Sequence, residues 1–205
     1  MGPALAFAAT AAVTVTVTVA AASAATANAG PNQTGIRRGT TVTLDGSLSS
    51  TGTYLWTQVV AAGDPSATLT GATTLKPTFT FPLYKSPANK GALTFNLKVT
   101  SVDGSVANST VTVSPVSDTV AVTRAVYTVS KKEWVVAGTS SVPAGQTVTV
   151  HLGLVTGPVV GTAVVDGAGA FQIKSTTGAA AVVGSQVTAE SQLGGESPAF
   201  AVKVQ

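Results

Sequence analysis

The chain has 205 residues, no cysteine and a formal charge of +3; 44% of it is hydrophobic and only 9% is charged. Disulfides and thiolate metal sites are therefore excluded, and the thinly spread basic residues, with Arg37-Arg38 and Lys131-Lys132 as the doublets, form no stripe that would hold nucleic acid. Charged residues make up about a quarter of ordinary soluble domains, so Thr, Ser, Gly, Asn and Gln must keep this surface wet, as in extracellular and virion-surface β-proteins.

Residues 1–36 carry no charged side chain, and Val13-Thr14-Val15-Thr16-Val17-Thr18-Val19 alternates strictly within them. A cleaved leader would explain the apolar stretch and the small-residue sites Ala22-Ser23-Ala24 and Ala27-Asn28-Ala29. Two features oppose that reading: no Lys or Arg follows Met1, and Val/Thr alternation suits a strand better than a helical signal core. A bilayer span is disfavoured because Thr recurs at every second position. The expectation is an uncleaved, strand-forming arm over residues 1–24, with Val13, Val15, Val17 and Val19 as its partner-binding face. Its seven alternating residues would reach roughly 23 Å, enough to add a strand to a sheet edge.

From Ala27 onward, short runs alternate apolar and polar residues and are separated by Gly, Pro, Asp or Asn. This pattern places one set of side chains in a core and the other in water, as in antiparallel sheets. Strands are predicted near 25–29, 40–45, 53–59, 67–70, 77–81, 92–101 and 106–113, giving a first sandwich over 25–115. Trp56 and Phe95 are its predicted core aromatics, Asp103-Gly104 a hairpin turn, and 82–91 a long loop. After a junction at 116–118, further strands are predicted near 119–129, 133–138, 147–154, 159–166, 169–174, 185–191 and 199–204. They make a second sandwich over 119–205 with Trp134 and Phe171 in its core, and Asp166-Gly167-Ala168-Gly169 reads as a turn. The predicted fold class is all-β, with two Ig-like antiparallel sandwiches in series behind an extended arm.

Ala29-Gly30-Pro31-Asn32-Gln33-Thr34, Val42-Thr43-Leu44-Asp45-Gly46-Ser47, Tyr54-Leu55-Trp56-Thr57-Gln58 and Leu93-Thr94-Phe95-Asn96-Leu97-Lys98-Val99-Thr100 occur in that order. They resemble the PKD-like immunoglobulin family of bacterial surface and phage proteins. Glu133-Trp134-Val135-Val136-Ala137-Gly138-Thr139 and Gly169-Ala170-Phe171 resemble, more loosely, a bacterial Ig-like module of actinobacterial and actinophage proteins. The resemblance implies adhesion, spacing or assembly rather than catalysis. Relatives often carry a further acidic residue near Ser101-Val102-Asp103-Gly104, and its lack here weakens the carry-over of a calcium site.

Catalytic and metal sites are not expected. His151 is the only histidine, and in Val148-Thr149-Val150-His151-Leu152 it shares the outward, wet face with Thr149. The aspartates stand at turns, where they normally accept local backbone N–H groups. No phosphate-binding glycine loop occurs, and no cofactor is expected. The sequons Asn32-Gln33-Thr34 and Asn108-Ser109-Thr110 matter only in a suitable secretory host.

The expected role is structural: a tailed-phage virion protein, foremost a capsid decoration protein clamping coat subunits, with a tail Ig-like subunit as the alternative. A secreted cell-surface adhesin or pilus-type fibre subunit is the remaining alternative. Expected partners are the major capsid or other virion proteins, further copies on a symmetric lattice, and host-surface glycans. Nucleic acid and membrane are not expected as partners, and the expected location is the virion surface, or the cell surface under the adhesin alternative.

Overall fold

The computed structural model describes residues 23–85 and 88–205, with Gly2 and Val15 besides. Val13, Val17 and Val19 of the expected arm lie outside the described residues; Val15 is exposed. The described residues are all-β apart from one short 3-10 turn at Val129–Lys131.

The first sandwich holds β1 (Gln33–Arg37), β2 (Thr41–Thr43), β3 (Thr53–Val59), β4 (Thr78–Thr80), β5 (Leu93–Thr100) and β6 (Val106–Val116). Its larger sheet runs β1-β6-β5-β3, and β2 pairs β4 opposite it. Alternation explains these strands directly: Leu93, Phe95, Leu97 and Val99 of β5 are each 0% exposed, while their neighbours face outward. Together with Trp56, Phe79, Phe81, Val111 and Val113 they fill the first core.

The second sandwich holds β7 (Val120–Thr128), β8 (Glu133–Ser140), β9 (Thr147–Leu152), β10 (Val159–Val164), β11 (Ala170–Ser175), β12 (Gln186–Ser191), β13 (Phe200–Ala201) and β14 (Lys203–Val204). One sheet runs β10-β9-β12-β13 and the other β11-β8-β7-β14. Trp134, Val136, Val148, Val150, Phe171 and Val187 pack between them. Gly138 of β8 has no room for a side chain, since a Cβ there would run into the Ala121 carbonyl and the Phe171 ring. Both tryptophans solve the same problem, an indole N–H taken out of water, in the same way. Trp56 Nε1 donates to the Thr74 carbonyl at 3.1 Å and Trp134 Nε1 to the Ala179 carbonyl at 2.9 Å.

The structure departs from the sequence reading in several places. Residues 25–29 form no strand; serine hydroxyls hold this segment instead, with Ala25 N–H donating to Ser105 Oγ at 2.7 Å and Ala29 N–H to Ser109 Oγ at 3.1 Å. The first strand lies later, in β1, and it pairs parallel to β6. The stretch predicted at 67–70 contributes only the isolated bridge from Thr70 to Thr78. The last predicted strand splits around Val202: β13 pairs antiparallel to β12, and β14 crosses to the other sheet to pair parallel to β7. The sheets are therefore antiparallel except where the terminal strand of each sandwich closes it.

Because Trp56 and Trp134 sit in different cores, each reports on its own sandwich. Trp134→Ala is expected to lower the stability of the second sandwich by about 3–5 kcal/mol. In urea titrations the transition followed by the fluorescence of Trp56 should move far less than that followed by circular dichroism.

Candidate functional site

The described residues place their polar chemistry at the junction between the sandwiches. Only Ser117, Asp118 and Thr119 separate β6 from β7. The Asp118 carboxylate is a hub for the second sandwich. Oδ2 accepts from Ser140 Oγ at 2.7 Å and Gln146 Nε2 at 3.1 Å, and Oδ1 accepts from the Gly195 N–H at 3.0 Å and from the Ser191 hydroxyl. Partial burial opposes ionisation of Asp118, but the hydrogen bonds from Ser191, Ser140, Gln146 and Gly195 outweigh it and hold the carboxyl below the usual range.

These bonds fix the loop 191–196, and the loop meets the first sandwich. Tyr84 N–H donates to the Gln192 carbonyl at 2.7 Å, and Lys90 Nζ pairs with Glu196 at 2.7 Å. The ion pair is partly exposed and adds about 0.2–1 kcal/mol at most. Arg38 braces the opposing wall. It is 2% exposed, stacks over Phe81, and donates to the Pro82 carbonyl at 3.2 Å and the Lys90 carbonyl at 2.7 Å. One member of the basic doublet noted in the sequence thus serves as a buried strut. Planar geometry and five donors suit an arginine, and not a lysine, to that task.

Between the loop 82–85 and the β10-β9-β12 sheet lies a cleft of about 610 Å³. Tyr84 and Lys85 form one wall; Thr149, His151, Thr162 and Glu190 line the sheet side. Register brings these together: Thr149 lies opposite both Thr162 and Glu190 on neighbouring strands. The expectation of a wet His151 is corrected here, because it is 5% exposed. Its Nδ1 lies 2.9 Å from the Gly157 carbonyl and its Nε2 3.1 Å from Glu190 Oε1. A carbonyl only accepts, so the contact with Gly157 is a hydrogen bond donated by Nδ1, and Nε2 faces Oε1 of Glu190. Glu190 Oε2, by contrast, is buried without a partner.

Trp56, Phe95, Trp134 and Phe171 are each no more than 3% exposed, placed in the cores and away from the cleft. The turn aspartates accept local N–H groups: Asp45 from Ser47 and Asp103 from Ser105, both at 2.9 Å, and Asp166 from Ala168 at 2.9 Å and Ala170 at 2.8 Å. Among the described residues, no three His, Cys, Asp or Glu side chains converge as metal ligands, and no helix is long and apolar enough to cross a membrane.

A carboxyl held below its ordinary value stabilises the fold above the unfolded-state value near pH 3.9, and that contribution disappears as pH falls through the lower folded-state value. Asp118→Asn is expected to cost about 2–3 kcal/mol at neutral pH, through lost charge-assisted bonds. The gap between wild type and variant should narrow below about pH 4, measured by chemical denaturation across pH.

The family comparison addresses the first sandwich. A family model described as K319L-like, PKD domain matches residues 29–114. The solution structure of the PKD domain from KIAA 1837 protein is 26% identical, with a TM-score of 0.37, covering 47% of this chain and 91% of that one. A structure of a 1.5-MDa bacterial ice-binding adhesin is 16% identical at a TM-score of 0.27, covering 82% of this chain and 59% of that one. The adhesin InvE of Yersinia pseudotuberculosis is 15% identical at a TM-score of 0.29, covering 82% and 56%. No curated protein matches the chain. Residues 29–114 thus match a PKD-domain family model and fall in the first of two β-sandwiches.

Proposed function

We propose that this protein is a structural display element of a biological surface, and specifically a virion protein that decorates the capsid of a tailed phage. The observation that carries the display role is the locked junction. A three-residue connection is too short to act as a flexible tether, and the Tyr84–Gln192 backbone bond and the Lys90–Glu196 pair join the two sandwiches across surfaces that Arg38 orders within the first and Asp118 within the second. A PKD-like domain and a charge-poor, hydroxyl-rich surface are in keeping with that role.

The virion reading adds the arm. Strand addition by the Val13–Val19 segment to a capsid protein would give many weak backbone bonds of about 1 kcal/mol each, multiplied across a symmetric lattice. Under this reading the partners are coat subunits and neighbouring copies, and the two sandwiches stand outward.

Two measurements test these layers. Gly195→Ala would drive a methyl group into the carbonyl and carboxylate of Asp118, so it should loosen the junction. Solution scattering is expected to show a larger radius of gyration and a less sharply defined shape, while both cores stay folded; an unchanged profile would count against a locked unit. Removing residues 1–22 should release the protein from purified particles without shifting its thermal midpoint. Retention on the particle, or native protein cleaved after Ala24 or Ala29, would refute the arm as anchor.

A further inference from the structure

We propose that the cleft between the two sandwiches binds a neutral, hydroxyl-rich ligand, a saccharide unit of one or two rings. This goes beyond the display role, which depends on the junction and the arm and not on what the cleft holds.

The volume of about 610 Å³ falls in the range of roughly 300–1,000 Å³ that small-molecule sites occupy. The chemistry of the floor selects the ligand. Glu190 is 6% exposed, its Oε1 engages His151, and its Oε2 meets no donor in the protein. A buried carboxylate oxygen left without a partner is costly, of the kind that a ligand donor relieves. His151 already engages Oε1, so Oε2 is the floor atom left for a ligand donor.

Other groups in the cleft fit the same class. Thr149 and Thr162 face each other across β9 and β10 beside Glu190, and a threonine hydroxyl both donates and accepts, as a sugar hydroxyl does. Leu83 and Val159 line the rim and are 46% and 50% exposed, apolar surface for the C–H face of a ring. Lys85 is the one charged side chain that the first sandwich brings to the lining, an exposed donor at the mouth. The walls are set before binding, by Arg38 on one side and the Asp118-held loop on the other, which limits the ordering cost.

His151 is the only histidine, so its ring proton signals form a single reporter at the cleft floor. The full chain would be titrated with glucose, galactose, mannose, N-acetylglucosamine, maltose and lactose, and separately with soluble bacterial cell-wall polysaccharide, while the His151 ring signals are followed by NMR. At least one of these probes is expected to shift the His151 signals saturably, and to do so roughly tenfold more weakly in Glu190→Gln and in Thr162→Val. Thr162 is exposed, so that variant keeps the test valid should the buried substitution disturb folding. A response to the simple sugars identifies a free saccharide as sufficient, and a response to polysaccharide alone identifies a polymer-borne one. Static His151 signals with every probe, or a response equally strong in the folded Thr162→Val variant, would overturn the proposal.

Discussion

The organisation of this molecule depends on one carboxylate. Asp118 stands in the short connection between β6 and β7, yet all its side-chain partners belong to the second sandwich. By gathering Ser140, Gln146, Ser191 and Gly195 it ties the entry of β7 to the loop after β12. That loop supplies Gln192, Gly194 and Glu196, which meet Tyr84, Arg38 and Lys90 of the first sandwich. Intradomain bonds thus shape an interdomain surface. A carboxylate suits the position because it is acceptor-only and can take several donors at once, and bonds to an ionised acceptor are about twice as strong as neutral ones.

The same economy appears on the facing side. Arg38 offers donors to two loop carbonyls and a flat face to Phe81. Carbonyls in an irregular loop have no ladder to satisfy them, so a buried guanidinium is an efficient way to keep such a loop ordered. Two side chains of opposite charge, one behind each wall, therefore order the loops that border the cleft in a protein that uses few charges anywhere else.

Strands whose burial alternates were legible from the sequence. β3 was anticipated at 53–59, its full extent, and β5 within one residue at each end, because every second side chain of these strands faces a core. β1 was not legible: Gln33–Arg37 has no buried position, and its place is set by parallel pairing to β6 rather than by a hydrophobic face. The site was legible only in part. Alternation correctly put His151 on the side away from the core, but not what lies over that side. Gly157 folds back onto Nδ1, and Glu190 arrives from a strand 39 positions along. Such pairings are products of register between distant strands, which local sequence does not encode. Arg38 was obscured for a similar reason, since a basic doublet looks like surface until the loop that buries it is in place.

The parallel closure of each sandwich bears on how the protein would carry load. In a parallel pair the chain enters at one end and leaves at the other, so β1 with β6 and β7 with β14 form the seams that a pull on the two ends of each sandwich must break. Such a pull slides the paired strands lengthwise, and the bonds along a seam resist together instead of opening one after another as they would in a hairpin tugged from its open end. Tension would thus be shared along each seam, a property that suits the display role proposed for it.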